Sequence, residues 1–119
     1  MTEQESAKGG GESEMPLRVG WYFVKLALVG SPIDVIHAGV SDLQEELGLR
    51  AHLRKACVTW DHHRQSAIIQ LEREGLSAQN AANGAAEEIF EAAASVLGDF
   101  ETYHVELVET RPTEDRRVV

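Results

Sequence analysis

Metal-ligating residue types occur together at Asp61, His62 and His63, the most promising chemical motif of this 119-residue chain. Imidazole and carboxylate are common zinc ligands. Adjacent residues of a strand point to opposite faces, however, so one ion would not reach both histidines there. His104 and Glu106 lie elsewhere, and no Cys-x-x-Cys or His-x-x-x-His spacing supports a site. The sequence therefore predicts a polar hairpin tip, with no metal and no cofactor.

Nucleophilic and acid–base residue types are scattered in the same way. Cys57 falls in the middle of a predicted strand, away from any helix N-terminus or paired base, so we interpret it as a small hydrophobic residue. Neighbouring carboxylates on the predicted helices do not converge on one point. Only His37, Tyr103 and His104 could supply a titratable group to an enzyme site. The sequence predicts no catalytic residues and favours a non-enzymatic protein.

The overall charge is acidic and uneven. The chain has a formal net charge of −9 and a pI near 4.9, which disfavours nucleic-acid binding because that binding depends on clustered lysine and arginine. Carboxylates concentrate on the two predicted helices, whereas residues 50–64 carry basic side chains against Asp61 alone. A solvated acidic face on the helices is the usual interpretation of this asymmetry. The functional alternative is electrostatic steering of a partner toward the less acidic sheet side.

The length and composition are those of one globular domain. Residues 1–16 are rich in glutamate and glycine and lack aromatic residues, so we expect a disordered tail. We expect one folded domain at residues 17–110 and a flexible C-terminal tail at 111–119. No apolar run is long enough to span a membrane. With a single cysteine and no recognisable signal peptide, we expect a cytoplasmic location.

Hydrophobic periodicity predicts the secondary structure. Apolar positions at spacings of three and four predict two helices, the first capped by Ser31 with Pro32 at its first position and the second capped by Ser77. Alternation at period two predicts a hairpin with a two-residue loop. The predicted elements are a strand at 17–29, a helix at 31–48, a hairpin at 49–74, a helix at 77–98 and a strand at 101–110.

This β-α-β-β-α-β order predicts the fold. Two right-handed β-α-β units that share one sheet form an α+β, ferredoxin-like two-layer sandwich, in which a four-stranded antiparallel sheet carries both helices on one face. The alternation within each strand then separates a core side from an open side of the sheet. The predicted core side comprises Val24, Leu26, Leu28, Ala56, Val58, Ala67, Ile69, Leu71, Tyr103, Val105 and Leu107.

The open side of the predicted sheet is the feature most suggestive of function. It gathers apolar and aromatic side chains where a two-layer sandwich meets solvent, and such a cluster marks an interface or a ligand floor. The alternative is that one of the two chain ends covers it. RNA binding is disfavoured, because the third strand offers no aromatic residue for base stacking. The residues predicted to form a protein–protein interface are Trp21, Phe23, Lys25, Ile68, His104 and Val108.

The predicted topology, with a glycine-capped first helix followed by a hairpin, resembles ACT-type regulatory domains over residues 17–109. Those domains pair side by side and bind amino acids, so the resemblance implies a small-molecule sensor with its ligand at a dimer seam. ACT-type domains commonly have an Asp-x-Pro-Gly turn before the first helix. This chain has Val29-Gly30-Ser31-Pro32 at that place.

Three functions follow as hypotheses. The expected one is a non-enzymatic protein-interaction or regulatory module that self-associates, most simply as a homodimer, or docks on a protein partner through the open side of its sheet. It requires only the exposed apolar cluster. The second is the ACT-like sensor, which needs a cavity with convergent polar groups. The third is a small dimeric ferredoxin-like enzyme, which also needs a perturbed titratable group in that cavity.

Overall fold

The computed structural model describes residues 19–98 and 102–113. The predicted tail at 1–16 and the part of the predicted C-terminal tail beyond residue 113 lie outside these residues. In chain order the elements are β1 (Gly20–Gly30), α1 (Ile33–Ala38), α2 (Val40–Gly48), β2 (Leu53–Asp61), β3 (Ser66–Gly75), α3 (Ala78–Leu97) and β4 (Tyr103–Pro112).

The strands form one four-stranded antiparallel sheet in the order β2-β3-β1-β4. Val24, Leu26 and Leu28 of β1 are fully buried and lie on one side of it. The same side carries Ile69 and Leu71 of β3, which pair with Leu26 and Val24 in the ladder. This is the core side. The alternation within β1 therefore assigns the faces of this interior strand as predicted.

All three helices of the described chain cover the core side. Ile36 of α1, Leu47 of α2 and Ile89 of α3 are buried in one cluster with the β1 residues. The side chain of Ser77 caps α3 by accepting a hydrogen bond from the backbone N–H of Asn80 at 3.0 Å, as predicted. None of the helices in residues 19–98 and 102–113 combines the length and hydropathy needed to cross a membrane.

The helical layer departs from the prediction at Gly39. Its backbone, with φ −92° and ψ 3°, separates α1 from α2. The side chain of Leu97 occupies the space where a Cβ on Gly39 would lie, so the end of α3 packs against the break. The described chain has three helices in the order β-α-α-β-β-α-β. The predicted βαββαβ ferredoxin-like sandwich with two helices is therefore wrong, while an α+β structure with a four-stranded antiparallel sheet is observed.

Ser31 does not cap the first helix. Its backbone N–H donates to the carbonyl of Thr102 at 3.2 Å, and its own carbonyl accepts a hydrogen bond from the Thr102 hydroxyl. These bonds continue the association of β1 with β4 beyond the end of the ladder. Pro32 is the N-cap of α1 and supplies no side-chain hydrogen bond.

The hairpin loop is longer than predicted. Asp61 pairs with Ser66, so the loop comprises residues 62–65 instead of two residues. The predicted loop and the observed loop both contain an even number of residues. The same residues of β2 and β3 therefore face the same side of the sheet in either case. Val58 consequently lies opposite Ile69 on the core side, as predicted.

β4 is an edge strand with an irregular register. Leu107 pairs with Leu26 and Glu109 pairs with Lys25, which leaves Val108 without a partner on β1. The strand continues past residue 110, the predicted end of the folded domain. Leu107 lies on the core side, as predicted, because it pairs with Leu26. On this outermost strand it is nevertheless 46% exposed and does not join the buried core.

Candidate interaction surface

The open face is the side of the sheet that carries no helix among the described residues. Trp21, Phe23 and Lys25 lie there because they alternate with the buried residues of β1. The predicted placement of both aromatic residues is thus observed. The open face comprises Trp21, Phe23, Lys25, Ala27 and Val29 of β1, Arg54, Cys57 and Thr59 of β2, Ile68, Gln70, Glu72 and Glu74 of β3, and His104, Glu106, Glu109 and Arg111 of β4.

Each of the two aromatic rings of the open face lies beneath an arginine. The guanidinium carbon of Arg54 is 3.9 Å from the ring centroid of Trp21, and that of Arg111 is 4.4 Å from the centroid of Phe23. A carboxylate holds each guanidinium, at 2.6 Å for Arg54 and 3.0 Å for Arg111. Exposed cation–π pairs contribute roughly 0.5–1 kcal/mol. Each ring is therefore partly covered by a guanidinium that a carboxylate holds in place.

Sequence reasoning did not find either arginine. Arg54 reaches Trp21 from β2, whose register shifts between Arg54 and Cys57, where Lys55 has a φ of 58°. No local pattern indicates such a bulge. Arg111 was assigned to the flexible tail, yet it pairs with a β1 residue of the open face. The beginning of the C-terminal segment therefore covers part of this face, which was one of the alternatives.

Ile68 and Ala27 form the apolar centre of the open face. They lie opposite each other in the ladder between β1 and β3. Ile68 is only 8% exposed, so it offers little surface to a partner. A charged residue at this position would be buried without a partner and would destabilise the monomer. The role of Ile68 at an interface stays a prediction, but Ile68→Asp cannot test it.

The other predicted interface residues lie toward the β4 edge. Lys25 is half-buried on β1, two residues after Phe23. His104 is exposed, and its Nε2 is 2.8 Å from Oε2 of Glu106. Val108 is 41% exposed at the register shift. The structure therefore groups Lys25 with the aromatic residues and places His104 and Val108 on the outermost strand.

Charges on the open face are balanced, unlike those on the helical side. The helices carry acidic side chains and no lysine or arginine. With a formal net charge of −9, two copies of the chain repel each other through their helical sides. The open face carries charges of both signs: Lys25, Arg54 and Arg111 stand among Glu72, Glu74, Glu106 and Glu109. Lys55 at the bulge of β2 adds a fourth cation, 3.6 Å from Glu72.

The carboxylate of Asp61 is engaged within the hairpin loop. Its Oδ1 accepts hydrogen bonds from the backbone N–H groups of His63 at 2.9 Å and Arg64 at 3.2 Å. The bond from Arg64 is the main cause that lowers the pKa of the Asp61 carboxyl, because it favours the charged form; weaker desolvation opposes it. Asp61 therefore shapes the turn, as a polar hairpin tip requires.

The imidazoles near the hairpin contact one another as aromatic rings. His37 stacks on Trp60 with centroids 4.4 Å apart, and His62 lies edge-on to His37 at 6.0 Å. Within the part of the chain that the structure describes, no three His, Cys, Asp or Glu residues are grouped to hold a metal ion. Cys57, interpreted as a hydrophobic residue, is exposed.

The titratable residues considered for an enzyme site lie apart from two cavities of the described residues. The hydroxyl of Tyr103 donates to the carbonyl of Gly98 at 2.6 Å, and His37 and His104 have the contacts given above. One cavity of about 220 Å³ lies around Arg73, and another of about 350 Å³ is lined mainly by carboxylates of α2. None of the three candidate residues lines either cavity.

Comparison with known proteins assigns no family. No protein-family model matches the chain, and no curated protein matches it. Among solved structures, an uncharacterized protein from Thermotoga maritima is similar over 82% of this chain and 100% of that protein's chain, with 11% identity and a TM-score of 0.38.

Proposed function

We propose that this protein is a non-enzymatic interaction module that self-associates through the open face of its sheet. The observation that carries the proposal is the placement of Trp21 and Phe23, each beneath an arginine, on a face that has balanced charges and no helix over it among the described residues. Tryptophan, tyrosine and arginine are enriched at the centres of protein interfaces. The open face supplies two aromatic rings and two arginines in one place.

A second copy of the chain fits this face by charge. Arg54 and Arg111 stand on the same surface as their carboxylate partners, so a two-fold arrangement lets each guanidinium reach a carboxylate of the other copy as well. The balanced face avoids the repulsion that the acidic helical sides impose on any approach through them. Burial of the rings then contributes roughly 25 cal/mol per Å² of apolar area, before the costs of association.

The sensor and enzyme hypotheses have no comparable support in residues 19–98 and 102–113. The cavity around Arg73 is not lined by any residue that the sequence proposed for ligand or acid–base chemistry. The cavity beside α2 is lined by Asp42, Glu45 and Glu46 with Leu49 and Val96, a set whose polar members all carry the same charge. Of the open-face residues, only Glu74 near the end of β3 lines either cavity.

The test is sedimentation equilibrium of the full chain at micromolar concentrations. Trp21→Ala is expected to weaken self-association by roughly 30-fold, since an aromatic interface anchor contributes about 2 kcal/mol. Phe23→Leu, which keeps an apolar residue beneath Arg111, should weaken it less. Leu49→Ala is the matched control, because Leu49 is 78% exposed and lies outside the open face. Circular dichroism reports whether each variant is folded.

Two outcomes would overturn the proposal. The first is a wild-type protein that stays monomeric throughout the concentration range. The second is a folded Trp21→Ala variant that associates as strongly as the wild type. If Trp21→Ala unfolds, Phe23→Leu decides, since an unchanged association constant in that folded variant contradicts the open face as the interface.

A further inference from the structure

The two edges of the sheet differ, because α2 protects one of them. Gln44 of α2 lies along the outer side of β2, where its Nε2 donates to the carbonyl of Ala56 at 2.8 Å and its Oε1 accepts from the N–H of Val58 at 2.7 Å. The side-chain amide thus pairs with β2 as a neighbouring strand would. The bulge at Lys55 further disrupts this edge. Natural sheets use such features to prevent edge-to-edge pairing.

The other edge, formed by β4, has no such protection in the part of the chain that the structure describes. β4 has ten residues and, among the strands that the structure describes, pairs only with β1. Between His104 and Arg111 its backbone makes no hydrogen bond to a described residue beyond that ladder. Apart from the ladder, His104 and Arg111 bond within the described residues through their side chains, to Glu106 and Glu109 of the same strand. Unpaired N–H and carbonyl groups along an edge are a template for another strand.

Exposed apolar side chains lie along the same edge. Leu107 and Val108 of β4 are both exposed, as is Phe90 of α3. The ring of Phe90 is 5.9 Å from that of Tyr103 at the start of β4. The edge therefore offers apolar surface beside unpaired backbone groups, a combination that favours association by added strands.

From this contrast between the edges we infer that β4 pairs antiparallel with β4 of a second copy, forming one continuous sheet across both copies. A two-fold axis normal to the sheet relates the copies, so their helices lie on the same side. The backbone groups between His104 and Arg111 supply the hydrogen bonds. Leu107 and Val108 lie near the axis, where they are shielded from water.

Charge makes β4 complementary to itself. Glu106 and Arg111 both lie on the open face, since they pair with Ala27 and Phe23 of β1. In an antiparallel pair the first half of one β4 faces the second half of the other. Arg111 of each copy can therefore lie opposite Glu106 of the other, which forms two reciprocal ion pairs. An arbitrary extended peptide would not provide this match.

This edge contact is separate from the face contact of the proposed function, and the two are compatible. Edge pairing leaves the open faces of both copies side by side on one surface of the continuous sheet. That surface can still stack on another such surface. If both contacts form, the wild type assembles as four copies, and each contact can be removed without the other.

The test follows amide hydrogen exchange of the full chain, by mass spectrometry, over a range of micromolar concentrations. Protection of residues 104–111 is expected to rise as the sedimenting mass rises, because edge pairing covers their N–H groups. Residues 53–61 are the internal control, since Gln44 already protects that edge. Leu107→Lys, at an exposed position, should weaken the edge contact by roughly tenfold or more and leave the circular dichroism unchanged.

Substitutions that reverse the charges on β4 test whether the strand added at this edge is β4 of a second copy. Glu106→Arg and Arg111→Glu should each weaken self-association, because like charges then face each other twice across the axis. An equimolar mixture of the two variants should restore association, since the mixed pair recovers both ion pairs. Trp21→Ala should leave the protection of residues 104–111 intact, which distinguishes the edge contact from the face contact.

Three results would overturn the inference. Association without any rise in the protection of residues 104–111 would assign it to another surface. Protection that is independent of concentration would show that this chain covers its own edge. Failure of the mixed charge variants to associate, while both are folded, would exclude the antiparallel pairing of two β4 strands.

Discussion

The guanidinium of Arg73 on β3 lies against Gly84 of α3, in the space that a Cβ at that position would occupy. Its Nε donates to Oε2 of Glu88, a buried carboxylate one turn further along the helix, at 3.1 Å. Glycine weakens a helix interior by about 1 kcal/mol relative to alanine. Passage of Arg73 over the helix surface to Glu88 accounts for the presence of a glycine in α3.

Gly84→Ala should therefore fail to stabilise the protein. The gain in helix propensity is offset because the new methyl group displaces the guanidinium of Arg73 from Glu88. In an Arg73→Met background the same substitution should stabilise by about 1 kcal/mol, since nothing then obstructs the methyl group. Urea unfolding of the four proteins measures both values. An equal gain in both backgrounds would contradict the contact.

Glu88→Gln should destabilise the protein by about 1–3 kcal/mol, because it removes the charge that pairs with a partly buried guanidinium. The Glu88 side chain is 12% exposed and contacts Arg73 at 3.1 Å. Glu91→Gln is the control: Glu91 also contacts an arginine, Arg50, at 3.2 Å, but its side chain is 68% exposed. The control should change the unfolding free energy by less than about 0.5 kcal/mol. Equal effects in urea unfolding would refute this distinction.

Asp61 should contribute to the acid dependence of stability. Its carboxyl has a pKa below the ordinary 3.8 in the folded chain, mainly because the N–H of Arg64 bonds to the charged form. A lowered folded pKa means stabilisation that is present above the unfolded pKa and lost as the pH falls through the folded pKa. The difference in melting temperature between wild type and Asp61→Asn should therefore be larger at neutral pH than at the acid limit. A difference that does not change with pH would contradict this.

Added Zn²⁺ should not raise the melting temperature appreciably. His37 and His62 face each other edge-on, but no third ligand joins them among the described residues. A ligand that binds only the native state stabilises by about 2.7 kcal/mol at 100 times its dissociation constant, which a thermal melt detects. A zinc-dependent shift that disappears in His62→Ala would show that a metal site exists.

Local sequence patterns determined the parts of this protein that depend on neighbouring residues. The period of two in β1 assigned Val24, Leu26 and Leu28 to the core and Trp21 and Phe23 to the open face. The side chain of Ser77 caps α3, which it immediately precedes, and Gly98 ends that helix. Such features are predictable because strand alternation and capping involve residues only a few positions apart.

The tertiary structure alone decided the features that depend on residues far apart in the chain. Leu97 lies where a Cβ on Gly39 would be, and the predicted single helix is divided there into α1 and α2. Arg54 covers Trp21 across an intervening strand, and Gln44, which belongs to helix α2, protects the edge of β2. None of these contacts has a periodic signature, because each requires two distant segments to pack before the side chains can meet. The sequence therefore predicts which residues face away from the core. Which of these residues are covered by other side chains depends on the packing of distant segments.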